Sequence, residues 1–263
     1  MNGRTLGCAL VGASLAMTAS AKLENREYAQ ARKEMTQMMA VEALASTATT
    51  GDADSFGRYV KFAGLMTTGS IILAQDCTPD PSNPFGPEDH CFVANAAPAT
   101  TTFTVTDAAR VLIPAKTANS LICHWQSPAA VYFFYNPTGN YVPNARFQVN
   151  PSYKIENAVL NDPSLINPLT GLPFGGSLTV GLPGIRHSRS LQAGETQIER
   201  DSESRTCIDG LISKRSLTTT YGLTALQAAN FFKNDTIISL NLAGTTTLVD
   251  SASIVYGVRF VAD

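Results

Sequence analysis

Residues 119–135, NSLICHWQSPAAVYFFY, hold the sole tryptophan of the chain together with Cys123, His124 and its densest aromatic run. Leu121, Cys123 and Trp125 recur at a spacing of two, and so do Val131, Phe133 and Tyr135, which is the period at which a β-strand returns its side chains to one face. Gln126-Ser127-Pro128 separates the two runs and reads as a turn. Two adjacent apolar strands need a second layer to cover them. The expectation is therefore a mainly β protein, a β-sandwich or jelly-roll-like domain with Trp125 and Phe133 in its core.

Upstream of this stretch, Thr102-Phe103-Thr104-Val105-Thr106 alternates polar and apolar like a strand with one wet face, and residues 109–113 continue the β pattern. Residues 52–75 are ambiguous between helix and strand, because short apolar runs fit either period. Downstream, residues 136–140 form a strong turn and residues 146–149 a short strand. Residues 150–184 are punctuated by Pro151, Pro163, Pro168, Pro173 and Pro183 and by five glycines, with only residues 177–180 strand-like. A long proline- and glycine-rich connection belongs on the surface, where binding residues concentrate. Tyr141, Tyr153 and Phe174 flank or lie within it and are expected to face solvent as a possible binding surface. Residues 185–205 mix Arg186, Arg189, Arg200 and Arg205 with Glu195, Glu199, Asp201 and Glu203, which suits a solvated loop or edge. Residues 207–212, 216–221, 236–242 and 253–261 read as strands, and residues 223–232 as a short helix. The last two strands, joined through residues 244–250, read as a C-terminal hairpin. From Lys233 to Val258 this segment resembles the closing hairpin of the tumour-necrosis-factor and complement jelly rolls; the resemblance is confined to that hairpin and carries no residue roles over.

The N-terminus has the pattern of an export signal. Arg4 precedes the apolar residues 6–17, and Ala19-Ser20-Ala21 offers the small side chains a signal peptidase requires, so residues 1–21 are expected to be removed. A membrane anchor would need roughly 20 apolar residues, more than this stretch supplies. Residues 22–50 are expected to form an N-terminal helix: Tyr28, Ala31, Met35, Met38, Val41 and Ala45 recur at three and four residues, Arg26 and Lys33 keep it soluble, and Gly51 ends it. Residues 51–263 then form the β-domain.

Loss of Cys8 with the leader leaves Cys77, Cys91, Cys123 and Cys207, an even number in an exported chain. Cys77 and Cys91 bracket a loop with four prolines and are expected to pair, which leaves Cys123 to pair with Cys207. On the loop-entropy model the short bridge stabilises by about 3 kcal/mol. Zinc is disfavoured, because no Cys-x-x-Cys spacing occurs. Asp80, Asn83, Glu88 and Asp89 in the loop could be drawn around calcium, but they lack the alternating ligand spacing of an EF-hand and read as turn residues.

A net charge of −2 with only 15% charged residues gives no polybasic footprint, so nucleic acid is an unsuitable partner. His90, His124 and His187 lack metal-ligand spacing. Ser188, His187 and Asp201 are neighbours in sequence, whereas a catalytic triad is assembled by the fold. Gly175-Gly176-Ser177 is no nucleophile elbow. The chain thus offers no catalytic, metal or cofactor-binding residue and leans away from an enzyme. Three classes remain, in this order. The first is a secreted, periplasmic or cell-surface structural or adhesive subunit that assembles with copies of itself or with other surface proteins, as in a pilus, shell, coat or virion. The second is an extracellular module binding a glycan or other ligand, and the third a secreted hydrolase.

Overall fold

The computed structural model describes residues 61–79, 81, 84–206 and 211–263. The expected signal peptide and N-terminal helix lie outside the described residues. The strands are β1 (Lys61–Thr67), β2 (Ile71–Ala74), β3 (His90–Val93), β4 (Thr100–Ile113), β5 (Leu121–Tyr135), β6 (Val142–Asn157), β7 (Ser177–Gly181), β8 (Ile185–Leu191), β9 (Thr196–Asp201), β10 (Arg205–Thr206), β11 (Ile212–Ser213), β12 (Thr236–Thr247) and β13 (Val249–Ala262). Two short helices, α1 (Lys214–Thr219) and α2 (Ala225–Phe231), lie between β11 and β12.

The protein is mainly β and is built from two sheets, as the sequence implies. In the first, β5 and β13 pair along most of their length; β1 and β2 flank β13, and β9, β10 and β11 follow one another along the far side of β5. In the second, β12 lies between β4 and β6, and β7 and β8 share the other side of β6. The inner faces meet in one apolar core. Ile122, Tyr132 and Phe134 of β5 and Phe260 of β13 join Phe147, Tyr153 and Ile155 of β6. Tyr132 stacks on Phe147 with centroids 3.9 Å apart, which locks the two sheets together at their centres.

Several expectations are corrected. Residues 119–135 do not break at Gln126-Ser127-Pro128, because β5 runs unbroken through them. Pro128 lies opposite Tyr256, between the segments of β5 that pair with β10 and with β9, where a missing N–H interrupts neither ladder. Trp125 is not core: it sits on the outer face of the sheet and is 45% exposed. β6 extends across Pro151, which lies where the neighbouring strand changes from β8 to β7. The charged stretch 185–205 forms edge strands β8 and β9. Residues 216–221 are mostly helical because Ser213 and Ser216 form a reciprocal cap that starts α1. Finally, β12 and β13 are no hairpin. They belong to different sheets, and the chain crosses between them at Leu248, whose φ is 56°.

Candidate functional site

The end of the sandwich between β6 and β7 carries the most elaborate loop. Its base is Asn157, a buried residue whose amide donates to the Phe231 and Asp235 carbonyls and to Thr236 Oγ1, while its Oδ1 accepts from the Val159 backbone and starts a 3₁₀ turn, Ala158–Asn161. Asp162 then accepts from the backbone and hydroxyl of Ser164. Hydrogen bonding to Ser164 holds the Asp162 carboxyl below its ordinary pKa. Asn167 donates its N–H to the Leu172 carbonyl at 2.8 Å and accepts from the N–H of Gly171, also at 2.8 Å; a bridge joins Ile166 to Pro173. Gly171, with φ of 71°, supplies the left-handed turn that this small loop requires. Pro168 lies against Gly222, and Phe174 packs beside Tyr221.

This corrects the expected binding surface. Phe174 turns inward beneath the loop, and Tyr153 is fully buried on the inner face of β6, because the strand continues through Pro151 and alternation places it in the core. Tyr141 alone of the three is exposed. The outward residues are others: Ile166, Leu169 (67% exposed) and Leu172 (65%) on the loop, and Leu226 (69%) in the first turn of α2, just beyond Gly222. From 163 to 185 the chain has no charged residue. The sequence signal that could have found this surface is the pair of Pro-Leu and Gly-Leu steps, Pro168-Leu169 and Gly171-Leu172, which place leucines at turn positions that cannot reach a core.

The stapled loop holds together differently. Cys77 and Cys91 form a disulfide with Cα atoms 5.7 Å apart. The Asp89 carboxylate accepts from the backbone N–H groups of Ser70 and Gly86 and so braces the loop against the start of β2; it is not simply a solvated turn residue. Asp80 and Asn83 lie outside the described residues. Cys123 is a disulfide cysteine, and Cys207, its expected partner, lies outside the described residues.

Two places gather titratable groups. Along the seam between β8 and β9, His187 Nε2 lies 3.2 Å from Asp201 Oδ2, and Arg189 Nε donates to Glu199 Oε1 at 2.6 Å. The fold therefore does join His187 to Asp201. Ser188, however, follows His187 on a strand and points to the opposite face, so it does not stand beside this pair as a nucleophile would. The carboxylates of β9 and the bases of β8 act as an ionic seam between the sheets. The second place is inside the core. His124 and Gln126 of β5 face Tyr153 of β6, whose ring meets the His124 ring edge-on at 5.3 Å, and Tyr256 of β13 lies near Tyr153. Burial lowers the His124 pKa to about 4 and raises those of Tyr153 and Tyr256, so all three are neutral at pH 7. Among the described residues no group of three or more His, Cys, Asp or Glu is placed to hold a metal ion, and no helix is long and apolar enough to cross a membrane.

No family model matches the chain, and no curated protein matches it. Among solved structures it is similar to a chain of the infectious bursal disease virus Gx strain at 11% identity, over 78% of this chain and 32% of that one, with a TM-score of 0.19. It is also similar to the VP2 subviral particle of the same virus at 11% identity, over 70% and 37%, with a TM-score of 0.16. The chain thus spans about a third of the length of the structures it matches. Likenesses of this degree carry no information about assembly or activity.

Proposed function

We propose that this chain is an exported structural subunit that assembles with copies of itself through the apolar end built from residues 162–176 and α2. The observation that carries the reading is the outward placement of Leu169 and Leu172 on a hydrogen-bonded loop with no charged residue from 163 to 185, together with exposed Leu226 on α2. Several large apolar side chains exposed on neighbouring turns support an interaction site, and lack of charge is what the centre of a protein contact requires. The loop's internal hydrogen bonds fix its shape before contact, which lowers the entropic cost of association. The Cys77–Cys91 disulfide supports export to an oxidising compartment. The same chemistry suits a pilus, shell, coat or virion subunit. The glycan-binding alternative retains only Tyr141 of its three aromatic contacts.

Size-exclusion chromatography with light scattering over a range of concentrations tests this reading. The wild-type chain is expected to form oligomers, and Leu169→Glu with Leu172→Glu to yield a monomer with an unchanged melting temperature. A wild-type chain that stays monomeric at high concentration overturns it.

A further inference from the structure

The core between the two sheets is apolar except at one place. Gln126 of β5 points inward and is fully buried, and among the described residues neither its amide nitrogen nor its amide oxygen has a hydrogen-bond partner. The hydroxyls of Tyr256 on β13 and Tyr153 on β6 belong to fully buried residues and lack a partner as well. These three side chains are neighbours. Gln126 lies opposite Val258, one inward position along β13 from Tyr256. Tyr153 comes from the facing sheet, meets the ring of His124 one inward position along β5 from Gln126, and lies close enough to Tyr256 for the two hydroxyls to interact electrostatically. Strand alternation alone asks only for an apolar residue at such positions, as at Ile122, Ala130 and Phe134. A buried amide with both ends unmet costs free energy, and native cores rarely leave one so.

We propose that Gln126, Tyr153 and Tyr256 hold ordered water between the two sheets and tie the sheets together through it. Three properties of the groups select water. Gln126 offers N–H donors and a carbonyl acceptor, and each phenol both donates and accepts, so the molecule that answers them must do both. It must be uncharged, because burial at this place already raises the pKa values of Tyr153 and Tyr256 and lowers that of His124. It must also be small, since the rings of His124 and Phe260 already stand 5.3 and 5.7 Å from that of Tyr153. Buried waters typically make about three hydrogen bonds to groups otherwise unmet, and this trio supplies them. Polar contacts continue to the sheet edge. Arg205 pairs with Gln126 across β10, donates through Nη1 to the Gly184 carbonyl at 2.7 Å, and with Asp201 acts electrostatically on the Tyr256 hydroxyl. A line of polar groups thus connects Gln126 with the partly exposed Arg205. Fixed water answers neutral dipoles but does not reorient around a charge as bulk solvent does, so His124 stays neutral beside it. This inference does not depend on self-assembly, which is assigned to the loop end.

The test compares the full chain with a variant carrying Gln126→Leu, Tyr153→Phe and Tyr256→Phe by the ¹⁷O relaxation dispersion of water, which registers water held inside a protein for longer than the protein's tumbling time. Internal water elsewhere is common to both proteins and cancels in the difference. The wild type is expected to show the larger dispersion, and equal dispersions in the two folded proteins would overturn the proposal. A high-resolution crystal structure of the wild type gives a second reading that stands even if the variant does not fold. Water within hydrogen-bonding distance of both the Gln126 amide and a tyrosine hydroxyl is the expected result. A direct bond between Gln126 and Tyr153 or Tyr256 with no water between them, or density for a larger ligand at this place, would overturn the proposal independently of the dispersion.

Discussion

The two faces of β5 are both apolar, but they differ in how they are used. The inner face, with Ile122, Tyr132 and Phe134, meets the facing sheet along its length and is sealed by the stack of Tyr132 on Phe147. The outer face changes along the strand: Trp125 and Tyr135 are exposed, and Val131 and Phe133 between them are buried. A strand buried on both sides over part of its length loses its alternation and reads as a continuous apolar run. The identity of a residue therefore says less about its burial than its parity along the strand does. Trp125 and Phe134 are both large aromatics of one strand, nine positions apart and on opposite faces.

The largest expected effect lies on the inner face. Phe134→Ala removes a fully buried ring that contacts Tyr132 edge-on at 5.6 Å, and such truncations cost about 3 to 5 kcal/mol. Urea unfolding measures this directly. A loss below about 1 kcal/mol would mean that the core relaxes into the space, and the contrast between the two faces would collapse.

The second effect is also internal but depends on pH. His124 on the inner face is held neutral, with its pKa lowered by burial from 6.5 to about 4. The unfolded chain therefore takes up a proton near pH 6.5 that the folded chain does not accept until about pH 4. The stability this histidine permits is fully present above pH 6.5 and is lost progressively as pH falls through that window, by up to about 3 kcal/mol. His124→Leu should flatten that part of the profile, so the difference between wild type and variant isolates the histidine from the carboxylates. Parallel curves for the two proteins between pH 4 and 6.5 would show that the inner face admits water at this point.

The sequence made the β-class legible through the spacing of two in Thr102–Thr106 and along residues 131–135, and it made the Cys77–Cys91 bridge legible through the prolines it encloses. It made two other things hard to see. Pro128 and Pro151 have the local signature of punctuation, whereas both lie inside long strands at places where the neighbouring strand changes. That tertiary fact has no local signature. Aromatics in a proline- and glycine-rich connection suggest a surface, but Tyr153 and Phe174 are core because each returns to the interior through an uninterrupted strand or a folded-back loop. The leucines left outside, Leu169 and Leu172, carry no aromatic signal and stand at turns, where residue type alone does not mark a surface. Capping at Ser213 and Ser216 was visible in the residue types, but the threonines that follow suggested a strand.

The smallest expected effect is the most telling about the outer face. Trp125 pairs across the sheet with Arg259 on one side and Thr206 on the other, and nearly half of its surface stays in contact with water. Truncating it to alanine removes an indole that the facing sheet does not touch, so no internal cavity opens and only the partial burial against its strand neighbours is lost. The expected cost is about 1 kcal/mol or less, well under that of Phe134→Ala. Because Trp125 is the sole tryptophan, its fluorescence reports on this position without further engineering. Emission from the native protein should be red-shifted and readily quenched by iodide. Quenching should weaken only when something larger than the chain's own strands settles over Phe62, Leu65 and Trp125. If the emission is instead blue and resistant to quencher in the dilute monomer, the outer face is as dry at this end as it is at Phe133, and the distinction between a covered centre and an open rim fails.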